Sequence, residues 1–227
     1  MKKIISIMML MIISLSVYAN DIYINQSGAT LDLDVLQDGQ NNTIGSSGTA
    51  SSVIGATTNL AITQIGDSNV MTFDVNGATY TGTFSVTGNS NNIDFNCDSG
   101  GSNSSCGTAT ASIVWVGSSN DIDIDIGETS SATGATVSIT GASGSDSNTV
   151  LATIDGNSAI LTLSVNGDTN NFLVDIDGNG DSVGHTYIHT HTGSIADVDI
   201  TQSGIYDNMI TLTTSGDNAD IDIIQRD

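Results

Sequence analysis

The side chains best suited to chemistry lie in one short stretch, His185-Thr186-Tyr187-Ile188-His189-Thr190-His191. Read as a strand, whose successive side chains alternate between faces, it sets the three histidines and Tyr187 on one side. Three imidazoles on one face are a conceivable metal-ligand set, and His185, His189 and His191 are the only such candidates. The plainer expectation is a polar outward face opposite Ile188. No nucleophile motif, phosphate-binding loop or paired metal motif accompanies them. A glycan-cleaving β-helix would need clustered acids of shifted pKa, or basic residues to hold an anionic sugar. Basic residues are nearly absent, so no catalytic residue is assigned, no enzyme is expected and no cofactor is implied.

The acidic residues are the other chemically active set. Asp and Glu number 25 against 3 Lys and Arg, for a formal charge of −22. Such a chain repels nucleic acid and anionic membranes, which are therefore poor partners. In NDIDIDIG, Asp121, Asp123 and Asp125 alternate with Ile122, Ile124 and Ile126, and Asp175 and Asp177 flank Ile176. The glycine-rich calcium nonapeptide does not recur, so the reading is a solvated acidic face that attracts Ca2+ without a specific site.

Residues 1–19, MKKIISIMMLMIISLSVYA, read as a secretory signal peptide: two lysines, an apolar run, then a small-residue cleavage site. Residues 20–227 form the second unit, and Arg226 is its one Lys or Arg. No later run approaches the 18 or so apolar residues of a spanning helix. The expected location is extracellular or at the cell surface, reached through the periplasm. In an exported chain, Cys97 and Cys106 around DSGGSNSS are expected to form a disulfide that staples a surface loop.

The elements that position these groups follow from a repeat. Gly66, Gly77 and Gly88 are spaced by eleven, as are Gly156, Gly167 and Gly178. Asparagine follows three residues after Gly39, Gly66, Gly88, Gly117 and Gly167, giving Asn42, Asn69, Asn91, Asn120 and Asn170. Gly144 to Asn148 and Gly204 to Asn208 are looser copies with one extra residue. Alternating apolar runs sit on both sides, such as Met71-x-Phe73-x-Val75. Glycine and asparagine tolerate the positive φ of tight reversals. The fold class expected is all-β, a β-solenoid of stacked two-strand coils with about 22 residues each, seven or eight coils in one domain. Four insertions interrupt it: 46–58, the disulfide loop, 128–135 and 181–193. A β-sandwich is the rival, but it would not require the eleven-residue spacing.

The Gln-x-Gly-x-x-Asn stretches, Gln37 to Asn42 and Gln64 to Asn69, with near copies at Gln26-Ser27-Gly28 and Gln202-Ser203-Gly204 to Asn208, resemble curlin repeats, the units of curli-type functional amyloid. The resemblance in pattern covers most of residues 20–227, and the full motif lies at the two ends. It implies that inward amides stack as ladders between coils. Unpaired, each would cost about 1–3 kcal/mol. It assigns stacking and assembly to Gln26, Gln37, Gln64, Gln202, Asn42, Asn69 and Asn208, and turns to Gly39, Gly66, Gly88, Gly117, Gly167 and Gly204.

The resemblance further implies self-association into filaments, with nucleator or secretion partners, as a fibre subunit for adhesion, biofilm matrix or surface structure. The strand-like DIYINQSG and ADIDIIQRD are candidate end coils. The alternative is a monomeric solenoid adhesin, or a surface or phage fibre component, that binds a ligand without polymerising. Thr81-x-Thr83 and Thr190-x-Thr192 raise an ice-facing threonine ladder as a lesser reading, disfavoured because such runs are not expected to recur in register through the coils.

Overall fold

Alternation of apolar and polar residues with a period of two suits strands that bury one face. That is what the computed structural model contains. It describes residues 21–39, 42–45, 50–66, 69–88, 91–97, 106–127, 132, 134–178, 185–204 and 208–226. Residues 1–19, read above as a signal peptide, lie outside them. All regular structure among the described residues is strand, and no helix is long and apolar enough to cross a membrane.

The strands stack as two walls. The first wall holds β1 (Asp21–Ile22), β3 (Thr43–Ile44), β6 (Asn92–Cys97), β8 (Asp121–Ile126), β10 (Thr149–Asp155), β12 (Asn170–Asp177), β14 (Ala196–Ser203) and β16 (Asp220–Arg226). The second holds β7 (Cys106–Val116), β9 (Gly134–Gly141), β11 (Ile160–Asn166), β13 (Thr186–Thr192) and β15 (Met209–Ser215). Three long strands, β2 (Asn25–Asp38), β4 (Ser51–Ile65) and β5 (Val70–Thr87), turn a corner and contribute to both walls. Every pairing is parallel, from Asp21 with Thr43 to Asp197 with Asp220. Parallel pairing throughout is the β-solenoid and excludes the antiparallel sandwich.

The length of a coil differs from expectation. Successive coils advance by about 26 residues; Val70 pairs with Asn92, but Asn92 pairs with Asp121. The strands keep strict register and the corners absorb the extra residues, so the eleven-residue spacing marks only the shortest half-coils. Two of the segments read as insertions are largely rungs: 51–58 opens β4, and 186–192 is β13. Ala135 lies in β9. Residues 46–49, 98–105, 128–131 and 181–184 lie outside the described residues.

Between the walls runs a narrow core of stacked columns. Ile44, Met71, Ile93, Ile122, Val150, Phe172 and Val198 follow one another in register, all buried. Tyr80 stacks on Phe95, with centroids 4.9 Å apart, and Trp115 is wholly buried. At the corners the backbone approaches itself. A Cβ on Gly66, whose φ is +153°, would lie 1.8 Å from the Gly39 carbonyl oxygen, so only glycine fits there. Gly77, at the opposite corner, sits over Gly55 with the same consequence. One coil on, Cys97 and Cys106 form the expected disulfide, both buried.

The threonines depart in part from expectation: some come into register through the coils, although Thr83 meets Ala61 and Ser112, and Thr192 meets Asn166 and Ser215. Thr57, Thr79 and Thr108 are paired in succession, as are Thr81, Thr110 and Thr136. Sequence spacing hides this because the corners between them differ in length.

Candidate functional site

The amide positions sort into two pairs and one long ladder. Gln37 and Gln64, on the second-wall parts of β2 and β4, are buried and in register. Gln64 Nε2 donates to Gln37 Oε1 at 2.7 Å and to the Val70 carbonyl at 3.3 Å. Gln37 Nε2 donates to the Thr43 carbonyl at 3.2 Å. An inward glutamine is tolerated here because a neighbouring coil supplies a partner. The pair ends after two coils, where Val86 and then Trp115 take over the column.

At the far end, buried Gln202 stacks under Gln225, which donates to its Oε1 at 3.3 Å and also to the Asn208 carbonyl. Gln225 was missed by the motif because no glycine follows it, yet its place two residues beyond Ile223 carries the signal. Gln26 does not join a glutamine ladder. Its register partner is Val53, and its Oε1 has no hydrogen-bond partner.

The asparagines form the longest polar feature. Asn69 N donates to Asn91 Oδ1 at 3.1 Å, Asn91 N to Asn120 Oδ1 at 3.0 Å, Asn120 N to Asn148 Oδ1 at 2.9 Å, and Asn148 N to Asn170 Oδ1 at 3.0 Å. Within a coil, Nδ2 ties back to the turn: Asn91 to Gly88 O at 2.7 Å, Asn120 to Gly117 O at 2.8 Å, Asn170 to Gly167 O at 2.7 Å. Asn42 bonds the Gln37 and Ile65 carbonyls. The ladder ends at Ala196, the register partner of Asn170. The residue before the asparagine holds positive φ in Ser119, Ser147 and Thr169.

Two assigned residues lie elsewhere. Asn208 is not in this ladder; its Oδ1 accepts the His185 amide at 3.1 Å. Gly204 stacks near Gly178 rather than in the column of Gly39, Gly66, Gly88, Gly117 and Gly167. The reason is topological. Those five glycines follow second-wall strands, whereas Gly204 follows β14 of the first wall, so its turn is at the opposite corner.

The histidines are core residues and not an outward polar face. His185, His189 and His191 are buried, and it is Thr190 and Thr192 that stand exposed. His185 Nδ1 accepts the Ala159 amide at 3.0 Å, His189 Nδ1 meets Tyr187 Oη at 2.9 Å, and His191 Nε2 meets the Gly167 carbonyl at 2.8 Å. Phe172 packs edge-on to His189 with centroids 4.6 Å apart. Burial, with neighbouring His191, pushes the His189 pKa down to about 4, and burial raises that of Tyr187. Among the described residues no group of three His, Cys, Asp or Glu side chains is placed to hold a metal.

The aspartates do face outward. On β6 and its neighbours, burial and then Asp74, Asp125 and Asp121 raise the Asp94 pKa. Burial and then Asp177 raise that of Asp175. These are carboxylates crowded on one wall.

The last described coil is uncovered among the described residues. Ile221, Ile223 and Gln225 continue the columns of Val198, Ile200 and Gln202, yet Ile221 and Ile223 stay 38% and 47% exposed because no further rung covers them among the described residues. Ile210 and Leu212 do the same on the second wall and are half-buried. Comparison with protein-family models, curated proteins and solved structures returned no match.

Proposed function

We propose that the chain is an exported structural subunit that stacks end to end into a curli-like extracellular fibre, serving adhesion or a biofilm matrix. The observation that carries this reading is the last described coil, uncovered among the described residues. Its uncovered columns are of the same kind as those that begin the stack. A second copy placed one rung on would set Ile22 over Ile221, Ile24 over Ile223 and Gln26 over Gln225, with Leu33 over Ile210 and Val35 over Leu212. Gln26 brings an acceptor with no partner of its own, and Gln225 already ends an amide pair. Translation by the height of the stack, with one rung spacing of about 4.8 Å between the abutting coils and no rotational closure, gives an open filament. Asp32 and Asp34 on the first coil and Asp220 and Asp222 on the last are exposed and alike in sign, on opposite walls, so they act at long range on the approaching ends and not as facing pairs. They slow the encounter, and salt or Ca2+ relieves them.

The test is fibril growth by the purified chain from residue 20, followed by thioflavin fluorescence and electron microscopy. The expected result is unbranched fibrils whose lag shortens with protein concentration and with salt. Ile223→Lys should stop elongation while the circular dichroism of the monomer is unchanged. A β-rich monomer at every concentration, with salt or without, would refute the reading.

A further inference from the structure

The two walls differ in what they show to solvent. Beyond β2, whose second-wall part carries Asp32, Asp34 and Asp38, the carboxylates of the strands lie on the first wall, among them Asp74, Asp94, Asp123, Asp125, Asp175 and Asp199. On the second wall no outward position from β4 to β15 is charged. Threonine and serine dominate there. The columns Thr57–Thr79–Thr108 and Thr81–Thr110–Thr136 run side by side. A third, Thr140–Ser164–Thr190–Thr213, continues to the end of the stack.

Strand geometry fixes the mesh of this surface, about 4.8 Å between coils and about 6.6–6.8 Å between alternate residues of one strand. Each threonine offers a hydroxyl that donates and accepts, beside a methyl, on a side chain stiff at χ1. One such group gains little by exchanging one water for another, so only a partner with its own two-dimensional repeat can sum many of them. That partner must be neutral and must both donate and accept hydrogen bonds. Nucleic acid and anionic glycans would need basic residues, and a stacked sugar would need an aromatic platform. The aromatic residues of these strands, Tyr80, Phe84, Trp115 and Tyr187, all point inward and are buried. Crystalline water meets the requirement, as a neutral lattice of hydrogen-bonding oxygens repeating on spacings of similar size in two directions. We infer that the second wall is an ice-binding face. The acidic wall opposite keeps the other side of the molecule hydrated. The inference does not depend on polymerisation; in a fibre the array would recur once per copy, separated by the acidic rung of β2 with Asp32, Asp34 and Asp38.

The test uses the full chain purified in soluble form, on a single ice crystal in a nanolitre osmometer, with partition into slowly grown ice as a second readout. The parent protein should facet the crystal, hold its growth below the melting point and enter the ice. Thr110→Tyr, at an exposed site in the middle of the array, should lose both effects while its circular dichroism melt matches the parent. Asp197→Asn, on the opposite wall, should keep them. A parent that leaves the crystal unshaped, or a Thr110→Tyr protein as active as the parent, overturns the inference. Retention on cellulose or chitin without any effect on ice overturns it in favour of a glycan surface. So does a dimer that Thr110→Tyr splits without an effect on ice, in favour of a face between copies.

Discussion

Replacing Asn120 with alanine tests the ladder at its middle. The side chain is buried and makes three contacts: Oδ1 accepts Asn91 N–H at 3.0 Å, and Nδ2 donates to Gly117 O at 2.8 Å and to Asn148 Oδ1 at 3.0 Å. Alanine takes all three away. Asn148 Oδ1 is the least affected, because the backbone amide of residue 120 still donates to it at 2.9 Å. The Asn91 amide and the Gly117 carbonyl lose these partners inside the stack. At about 1–3 kcal/mol for each buried group left unpaired, the loss from the two is about 2–6 kcal/mol. Asn120→Asp is the sharper variant. It keeps the acceptor for Asn91 but sets a carboxylate against the Gly117 carbonyl and Asn148 Oδ1, so it should be less stable than alanine at neutral pH. Urea unfolding followed by circular dichroism gives the global change, and amide exchange at Asn91 gives the local one. A change under roughly 0.5 kcal/mol for Asn120→Ala, the scale of an ordinary surface substitution, or an aspartate variant as stable as the parent, would refute the ladder as a stabilising element.

Gly66→Ala should lower the yield of folded chain and destabilise it by more than the ~1–3 kcal/mol that backbone strain alone costs, since its Cβ would overlap the Gly39 carbonyl; a melt unchanged from the parent would show that the corner can open. Ile195 is a β-branched residue at φ 60°, 53% exposed, so Ile195→Asn should raise stability by about 1 kcal/mol by relieving the left-handed penalty, read as a higher melting temperature. Reducing Cys97–Cys106, nine residues apart in sequence, should cost about 2–3 kcal/mol in denaturant stability through loop closure. Buried His189 binds a proton less readily than in the unfolded chain, so its contribution is complete above pH ~6.5 and is lost as pH falls towards about 4, an acid loss of about 3 kcal/mol that His189→Leu should abolish. Asp94 and Asp175 have raised pKa values and work the other way, their repulsion easing on acidification, so the variant should gain relative stability in acid.

The coil and its corners were legible because the physics there is local. Eleven residues from Gly66 to Gly77, and again to Gly88, is the passage from one corner to the other and back, and Gln64 asked for the partner that Gln37 provides. What was not legible depends on register between coils, which the unequal corners conceal. The pattern Gly-x-x-Asn identified Asn120 and Asn170 as turn residues, but not that Oδ1 of each reaches the coil before it. The same pattern put Asn208 at the wrong corner, since the motif does not encode which wall precedes it. The histidines were misjudged on polarity. Their alternation with Thr190 and Thr192 follows from the strand, but which parity faces inward is set by Leu163 and Val165 beneath His189 and His191, a pairing across 26 residues (189 − 163).

Register also separates what the fold requires from what it leaves free. Inward positions must fill a core about one side chain deep, and they do so with Ile, Val, Phe and paired amides. Outward positions need only suit a strand, for which threonine and valine serve on either wall. Aspartate is disfavoured in strands, and stacked carboxylates about 4.8 Å apart repel by roughly 0.9 kcal/mol even in water. Stability would therefore be better served by spreading the aspartates over both walls, or by leaving them at the corners. Beyond β2, whose Asp32, Asp34 and Asp38 face out on the second wall, they are concentrated on the first wall instead, close enough that Asp74, Asp121 and Asp125 raise the pKa of Asp94. From β4 onward the outward second wall has none. A distribution that folding does not ask for, and that folding energy opposes, points to selection on what each wall meets. That is why the uncharged wall, rather than the acidic one or the histidines, is where a surface ligand is to be sought.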